Sequence, residues 1–232
     1  MGIERFMVLN KSHGNMYPWV THTWNPIKGC KHACRYCYVK ELEARYQYDA
    51  SPRFMEEELR TNLGKGKVIF VGSASDMWGE WMDSFNIEQV LEHCRRFDNE
   101  YVFQSKNPDR FLQFLGRFPK KSMFGTTIEA DRYVEQVSKA PDIPCRVETM
   151  KRMEGKKFVS IEPILQFDLE RLVRMIFQIR PSFVTIGADS KYHNLLEPNG
   201  EQVRQLLKRL GKFTEVRPKT NLRRLLKRTL QI

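Results

Sequence analysis

No run of about eighteen apolar residues occurs anywhere in the 232-residue chain, which excludes a membrane-spanning helix. The opening stretch MGIERFMVLNKS lacks the sustained apolar core of a signal peptide. Cysteine is scarce and odd in number, with five in all. That argues against a disulfide framework and for a reducing cytoplasm. Acidic residues are also in short supply, 28 against 39 Lys and Arg, and the formal charge of +11 points to a polyanionic partner. The hydrophobic share of 41% is enough for one substantial soluble core.

Three of the five cysteines fall in one short segment, THTWNPIKGCKHACRYCYVKE, from Thr21 to Glu41. Cys30, Cys34 and Cys37 form a thiol triplet on a tight loop after a β-like run, a set that suits a cubane iron–sulfur cluster. Such clusters are usually held by four cysteines, so three leave one iron open to an outside ligand, and an open metal position is where chemistry occurs. Lys28, Lys31 and Arg35 flank the thiols and favour the metal-binding thiolate. A Cys3His zinc knuckle using His32 is the alternative, although His32 lies between two cysteines where its reach to a shared metal is awkward. No second cysteine set is present for an auxiliary cluster. Cys94 occupies an apolar helical position and reads as a packed residue.

Short β-prone runs alternate with segments of helical period, which predicts βα units and a parallel sheet. Strands are expected at Trp19 to Trp24, Lys67 to Gly72, Tyr101 to Ser105, Ser122 to Thr127, Lys157 to Ile161 and Ser182 to Ile186, with a further one at Phe213 to Arg217. Ile87, Val90, Leu91 and Cys94 fall at i, i+3, i+4 and i+7, and Leu169, Leu172, Val173 and Ile176 repeat the stripe. Ser51-Pro52 and Asn107-Pro108 read as helix starts, Gly116 and Gly211 as stops. In parallel βα folds the reactive groups sit where strands end. Here those positions hold Ser73, Ser75 and Asp76; Gln104, Ser105 and Lys106; Thr126, Thr127 and Glu129; Ser160 and Glu162; and Gly187, Asp189 and Ser190.

The cysteine spacing, with aromatic Tyr36 just before the third cysteine, resembles the signature of radical S-adenosylmethionine (SAM) enzymes. VIFVGSASDMWGEW, YVFQSKNPDRF, FGTTIEADRY, KKFVSIEPIL and FVTIGADS follow in an order that resembles a phage-associated branch of that superfamily, one largely of unknown function. The resemblance implies an α/β fold, an open partial (βα)6 barrel of the radical SAM type with a basic C-terminal helix. It implies a single domain, with residues 1–18 as an N-terminal extension, 19–190 as barrel core and 191–232 as a basic C-terminal segment. It further implies a [4Fe-4S] cluster on Cys30, Cys34 and Cys37, and SAM as the ligand of the open iron. SAM would be cleaved to methionine and a 5′-deoxyadenosyl radical that abstracts a substrate hydrogen, with flavodoxin or ferredoxin as the kind of reductant required.

On this resemblance, backbone near Tyr36 meets adenine, Ser73, Ser75 and Asp76 meet the methionine moiety, and Thr127, Glu129 and Glu162 are candidates for ribose hydroxyls or substrate. Lys106 could meet a substrate phosphate or the SAM carboxylate. Cys145, after Pro144 near a helix start, could return a hydrogen atom to a product radical or simply pack. Glu129 and Glu162 could equally stabilise helix N-termini.

From Glu201 to Ile232 there are ten Lys or Arg against two Glu. Leu222, Leu225, Leu226 and Leu230 make an apolar face opposite Arg223, Arg224, Lys227 and Arg228, with Arg217 and Lys219 adding to the charge. A basic face of this kind suits phosphate contacts, and Trp78, Trp81 and Phe85 could stack on a base or cap a core. The expected activity is radical SAM chemistry on a modified base in phage-type DNA or other nucleic acid, in the cytoplasm of the host if phage-encoded. Rearrangement, carbon–carbon bond formation and lesion cleavage all stay open. The alternatives are a radical SAM enzyme on a peptide or small metabolite, and a non-catalytic iron–sulfur or zinc nucleic-acid-binding module.

Overall fold

A computed structural model describes residues 9–12, 17–46, 49–134 and 137–227. They divide into two compact units. The first comprises Met1–Lys31, Tyr38–Ser105 and Arg110–Met123; the second comprises His32–Cys37, Lys106–Asp109 and Phe124–Ile232.

The first unit contains β1 (Asn10–Lys11), β2 (His22–Trp24), β3 (Ile27–Lys28), α1 (Tyr38–Tyr46), β4 (Arg53–Phe54), β5 (Val68–Val71), α2 (Ser84–Arg95) and β6 (Glu100–Ser105). β2, β5 and β6 are parallel neighbours, β1 runs antiparallel along β2, and β3 pairs antiparallel with β4. The expected stripe of α2 is buried at Ile87, Val90, Leu91 and Cys94, and Asp83 caps the helix by accepting from the Phe85 N–H. One of the two expected helix starts is overturned. Ser51-Pro52 leads into β4, because Asp49 Oδ1 accepts from both the N–H and the hydroxyl of Ser51 and so turns the chain there. Asn107-Pro108 does open a helix as expected, of the 3-10 kind, Pro108–Phe114. Three residues per turn align Pro108, Phe111 and Phe114, all buried, on one side, where an α-helix would fan them apart.

The chain passes into the second unit along β7 (Ser122–Thr127), followed by α3 (Ile143–Arg152), β8 (Lys156–Ile161), α4 (Leu169–Ile179), β9 (Phe183–Ile186), α5 (Gly200–Leu210), β10 (Glu215–Pro218) and α6 (Arg223–Lys227). β8, β9 and β10 are parallel, in a register that aligns Phe158 with Phe183 and Glu215, and Ser160 with Thr185 and Arg217. Alternate residues share a face. One face therefore carries Val159, Ile161, Val184 and Ile186, all wholly buried, while the other carries Ser160, Thr185 and Arg217. α4 buries Leu172, Val173 and Ile176 as expected, behind an Asp168 cap on the Arg171 N–H. Six expected strands and the further one at β10 all form, so the fold is α/β with parallel strands.

Candidate functional site

The second unit gathers four polar side chains from separate elements: Tyr36 between the last two cysteines of the loop, Lys106 just beyond β6, Glu129 just beyond β7, and Arg146 on α3. Lys106 Nζ donates to the Tyr36 hydroxyl at 2.6 Å, and that hydroxyl donates to Glu129 Oε1. Lys106 Nζ is also 3.3 Å from the same carboxylate oxygen. Arg146 closes the network from the other side, donating from Nη1 to Glu129 Oε2 and to the Thr127 carbonyl, both at 2.9 Å.

Burial sets the protonation of this group. Tyr36 is pushed well above the ordinary phenol value by desolvation, then by the negative charges of Glu129 and Cys34. Burial alone would raise Glu129, but Lys106 and Arg146 outweigh it and hold the carboxyl below its ordinary value. Burial would likewise lower Lys106, yet Cys34 and Glu129 leave its ammonium above the usual lysine range. The result is a one-way hydrogen-bond chain, ammonium to phenol to carboxylate, with two cations set against one carboxylate.

The cysteine loop supplies donors of the right chemistry. None of the five cysteines is in a disulfide. Cys34 is buried, its Sγ 3.1 Å from the Ser138 hydroxyl, and Cys30 and Cys37 are half-buried. Left-handed backbone at Gly29 and Ala33 bends the loop. Ahead of Cys30, a Cβ on Gly29 would lie 2.2 Å from the Ser51 carbonyl oxygen, so only glycine fits there. Soft thiols beside a lysine fit an iron–sulfur cluster. Among the described residues no group of three His, Cys, Asp or Glu side chains already surrounds one metal-sized point. His32, the zinc alternative, is buried, and its carbonyl accepts from Lys139 N and Ser138 Oγ.

The loop after β5 is built from within the first unit. Asn25 Oδ1 accepts from Ser73 Oγ and Ala74 N, the Tyr38 hydroxyl donates to the Ser73 carbonyl, and Ser75 bridges Gly29. Asp76, expected to face the SAM amino group, is buried, with Oδ1 accepting from Ser105 Oγ and Trp78 N. That oxygen holds the loop itself. Trp78 is core, packed edge-on against Phe103, Phe111 and Phe114, which settles its alternative in favour of packing.

The other candidates stand in surroundings of their own. Cys145 is exposed on α3, so it is neither a packed residue nor part of the buried network that its neighbour Arg146 completes. Glu162 Oε2 pairs with Lys219 Nζ at 2.6 Å. Arg217 lies over the Phe183 ring at 3.7 Å and bonds Glu215, and Arg224 clasps Glu197 through two nitrogens at 2.7 and 2.6 Å. Three of the six expected phosphate-binding cations are thus committed to carboxylates. Arg223 and Lys227 are exposed, while Arg228 lies outside the described residues.

Arg146 escaped the sequence reading, yet a signal was available. Ile143, Val147 and Met150 mark the buried face of α3, and Arg146 interrupts that same face. Asn221, whose amide nitrogen donates to Ala188 O and Ser190 Oγ, left no comparable trace.

The fold has counterparts among solved structures. A spore photoproduct lyase variant superposes with a TM-score of 0.66 at 12% identity, covering 89% of this chain and 78% of its own. A spore photoproduct lyase complexed with dinucleoside spore photoproduct gives 0.58 at 15% identity, covering 91% and 66%. A third, a variant with bound AdoMet and dinucleoside spore photoproduct, gives 0.58 at 15%, covering 87% and 64%. At these identities the likeness is one of fold. No curated protein sequence matches the chain. A family model described as a protein of unknown function, DUF5131, matches residues 15–190, more than half of the chain, which therefore belongs to the DUF5131 family.

Proposed function

We propose that this chain is a radical SAM enzyme in which Cys30, Cys34 and Cys37 hold a [4Fe-4S] cluster and the substrate is a base in nucleic acid, of the modified kind found in phage-type DNA. One observation carries the reading: a Cys-x3-Cys-x2-Cys loop stands in a fold shared with spore photoproduct lyase over 89% of the chain. One such structure binds AdoMet together with a dinucleoside lesion, and this supports the same pair of ligands here.

When bound, the cluster supplies the electron that cleaves SAM and so provides the radical for hydrogen abstraction. The protein's own groups bind and orient. Arg146 and Lys106 fix Glu129, Glu129 fixes the Tyr36 ring, and Tyr36 holds the segment between Cys34 and Cys37. Ser73 and Ser75 serve the methionine end of SAM, and Thr127 its ribose. Flavodoxin or ferredoxin would deliver the electron. A second reading, radical SAM chemistry on a peptide or small metabolite, draws on the pairing of Arg217, Lys219 and Arg224 with carboxylates, which leaves less charge for phosphates.

Anaerobic reconstitution tests the first step. The expected protein is brown, holds about four irons, loses them when Cys30, Cys34 or Cys37 becomes Ala, and releases 5′-deoxyadenosine from SAM when reduced. Stoichiometric zinc in a colourless protein overturns the reading. DNA should stimulate that release and bind with a salt-sensitive affinity. If it does neither, the small-substrate reading takes its place.

A further inference from the structure

The chain between β9 and α5 forms a braced loop with an aromatic tip. Asp189 is its hub: Oδ1 accepts from Lys191 N and lies 2.6 Å from His193 Nδ1, and Oδ2 accepts from His193 N. Asp189 N donates to Glu197 Oε1, Arg224 Nη2 donates to the Asp189 carbonyl, and the Leu196 carbonyl accepts from Gln166 N. From the cysteine loop, Arg35 Nη2 donates to the His193 carbonyl at 3.2 Å. Arg35 directly follows Cys34, so the braced loop is fastened one arginine side chain away from the thiols.

Tyr192 sits at the tip with left-handed backbone, φ 58°, a conformation that glycine or asparagine adopts at less cost than a residue with a bulky ring. Its side chain adds nothing to the core. Tyr192 is 73% exposed, a value matched by Leu196 and exceeded by no other large hydrophobic side chain among the described residues. On one side the Arg224 guanidinium lies 5.5 Å from the ring centroid, itself clamped by Glu197. One face of the ring is therefore backed by a fixed cation, and the other is open to solvent.

The surroundings of the ring select its partner. Both acids of the loop are engaged inward, Asp189 with His193 and Glu197 with Arg224. Lys191, beside Tyr192 in sequence, and Arg35, on the carbonyl of the residue after it, are exposed. A flat ring held in place and flanked by cations fits a base and its phosphates, and every base has a face to stack. We propose that Tyr192, backed by Arg224, is a stacking platform for a nucleobase of the strand presented to the cysteine loop, with Arg35 and Lys191 beside its phosphates. The choice of nucleic acid as partner rests on the reading given above. A paired base inside a duplex has no free face, so the platform takes a single strand or an extruded base.

Fluorescence anisotropy of the reconstituted full chain tests this with a labelled single strand and an abasic strand of the same length. Tyr192→Ala should weaken binding of the base-bearing strand about tenfold, and Tyr192→Phe should leave it within about twofold. The slope of log affinity against log salt should be the same in Tyr192→Ala as in the parent, because no phosphate contact is lost. On the abasic strand Tyr192→Ala and the parent should bind alike. Tyr192→Asn, which accepts the left-handed backbone, should show the same loss as Tyr192→Ala at an undiminished melting temperature. Unchanged affinity in Tyr192→Ala, or an equal loss on the abasic strand, overturns the platform alone. Unchanged affinity together with self-association that Tyr192→Ala abolishes assigns the ring to a protein contact instead. A parent protein that binds neither strand overturns the nucleic-acid reading and the platform with it.

Discussion

Arg146 Nη1 stands 2.9 Å from Glu129 Oε2, and both side chains are 4% exposed. Lys106, 14% exposed, lies against the other oxygen of the same carboxylate. Removing the carboxylate takes away the negative charge that both cations share, whereas removing Arg146 leaves Lys106 in place. Glu129→Gln should therefore lose about 3–5 kcal/mol in urea unfolding, and Arg146→Met less. The double variant should lose less than the sum, since both act on one network.

Acid should weaken the first unit through His93. Burial pushes this ring below its ordinary value of 6.5, against the opposing effect of its bond to the Thr61 carbonyl. Its Nδ1 is buried without a partner. A depressed native value means that the unfolded chain takes up the proton first. Stability is then full above pH 6.5 and declines as the pH falls from there through the native value. Melting temperatures between pH 7.5 and 5 should show that decline, and His93→Phe should flatten it.

Gly125 of β7 faces the Phe158 ring so closely that a Cβ would lie 2.2 Å from it. Gly125→Ala should cost about 1–3 kcal/mol through forced displacement of the ring. Adding Phe158→Leu, which clears the space, should return part of that loss. Simple additivity of the two losses would show that the ring moves aside without strain.

The C-terminal cations should separate into two kinds. Arg223 and Lys227 are exposed, so each replaced by Ala should lower the slope of log affinity for DNA against log salt by about 1. Arg224→Ala should mainly lower the melting temperature, because it leaves Glu197 without its two-nitrogen partner.

Periodicity made much of the fold legible. The short β-prone run of Lys157 to Ile161 and the helical stripe from Ile87 to Cys94 are local patterns, and both formed where expected. The three thiols of the cysteine loop are legible for the same reason, being neighbours in sequence. Pairings between distant residues left no such mark. Nothing near Lys219 in the chain indicates Glu162, and nothing near Arg224 indicates Glu197, so a run that reads as a basic face is partly neutralised once folded. Asn107-Pro108 was legible as a helix start but its 3-10 type was not, because proline opens α and 3-10 turns alike. The bonds of Asp76 to Ser105 and Trp78 left no mark either, because a carboxylate at a strand end serves a turn as readily as a ligand.

The Tyr36 hydroxyl and its acceptor Glu129 are 93 positions apart in sequence, and Arg146 comes later still. During synthesis the three thiols therefore leave the ribosome well before the residues that brace Tyr36 exist. At roughly 5–20 residues per second, the remaining hundred or so take on the order of ten seconds to appear. For that interval the loop lacks its buried anchor and its thiols stand open to oxidants. Cells making this protein in air should accumulate chains damaged at Cys34 in proportion to how slowly they are translated, and slower codons between the loop and α3 should lower the yield of intact thiols.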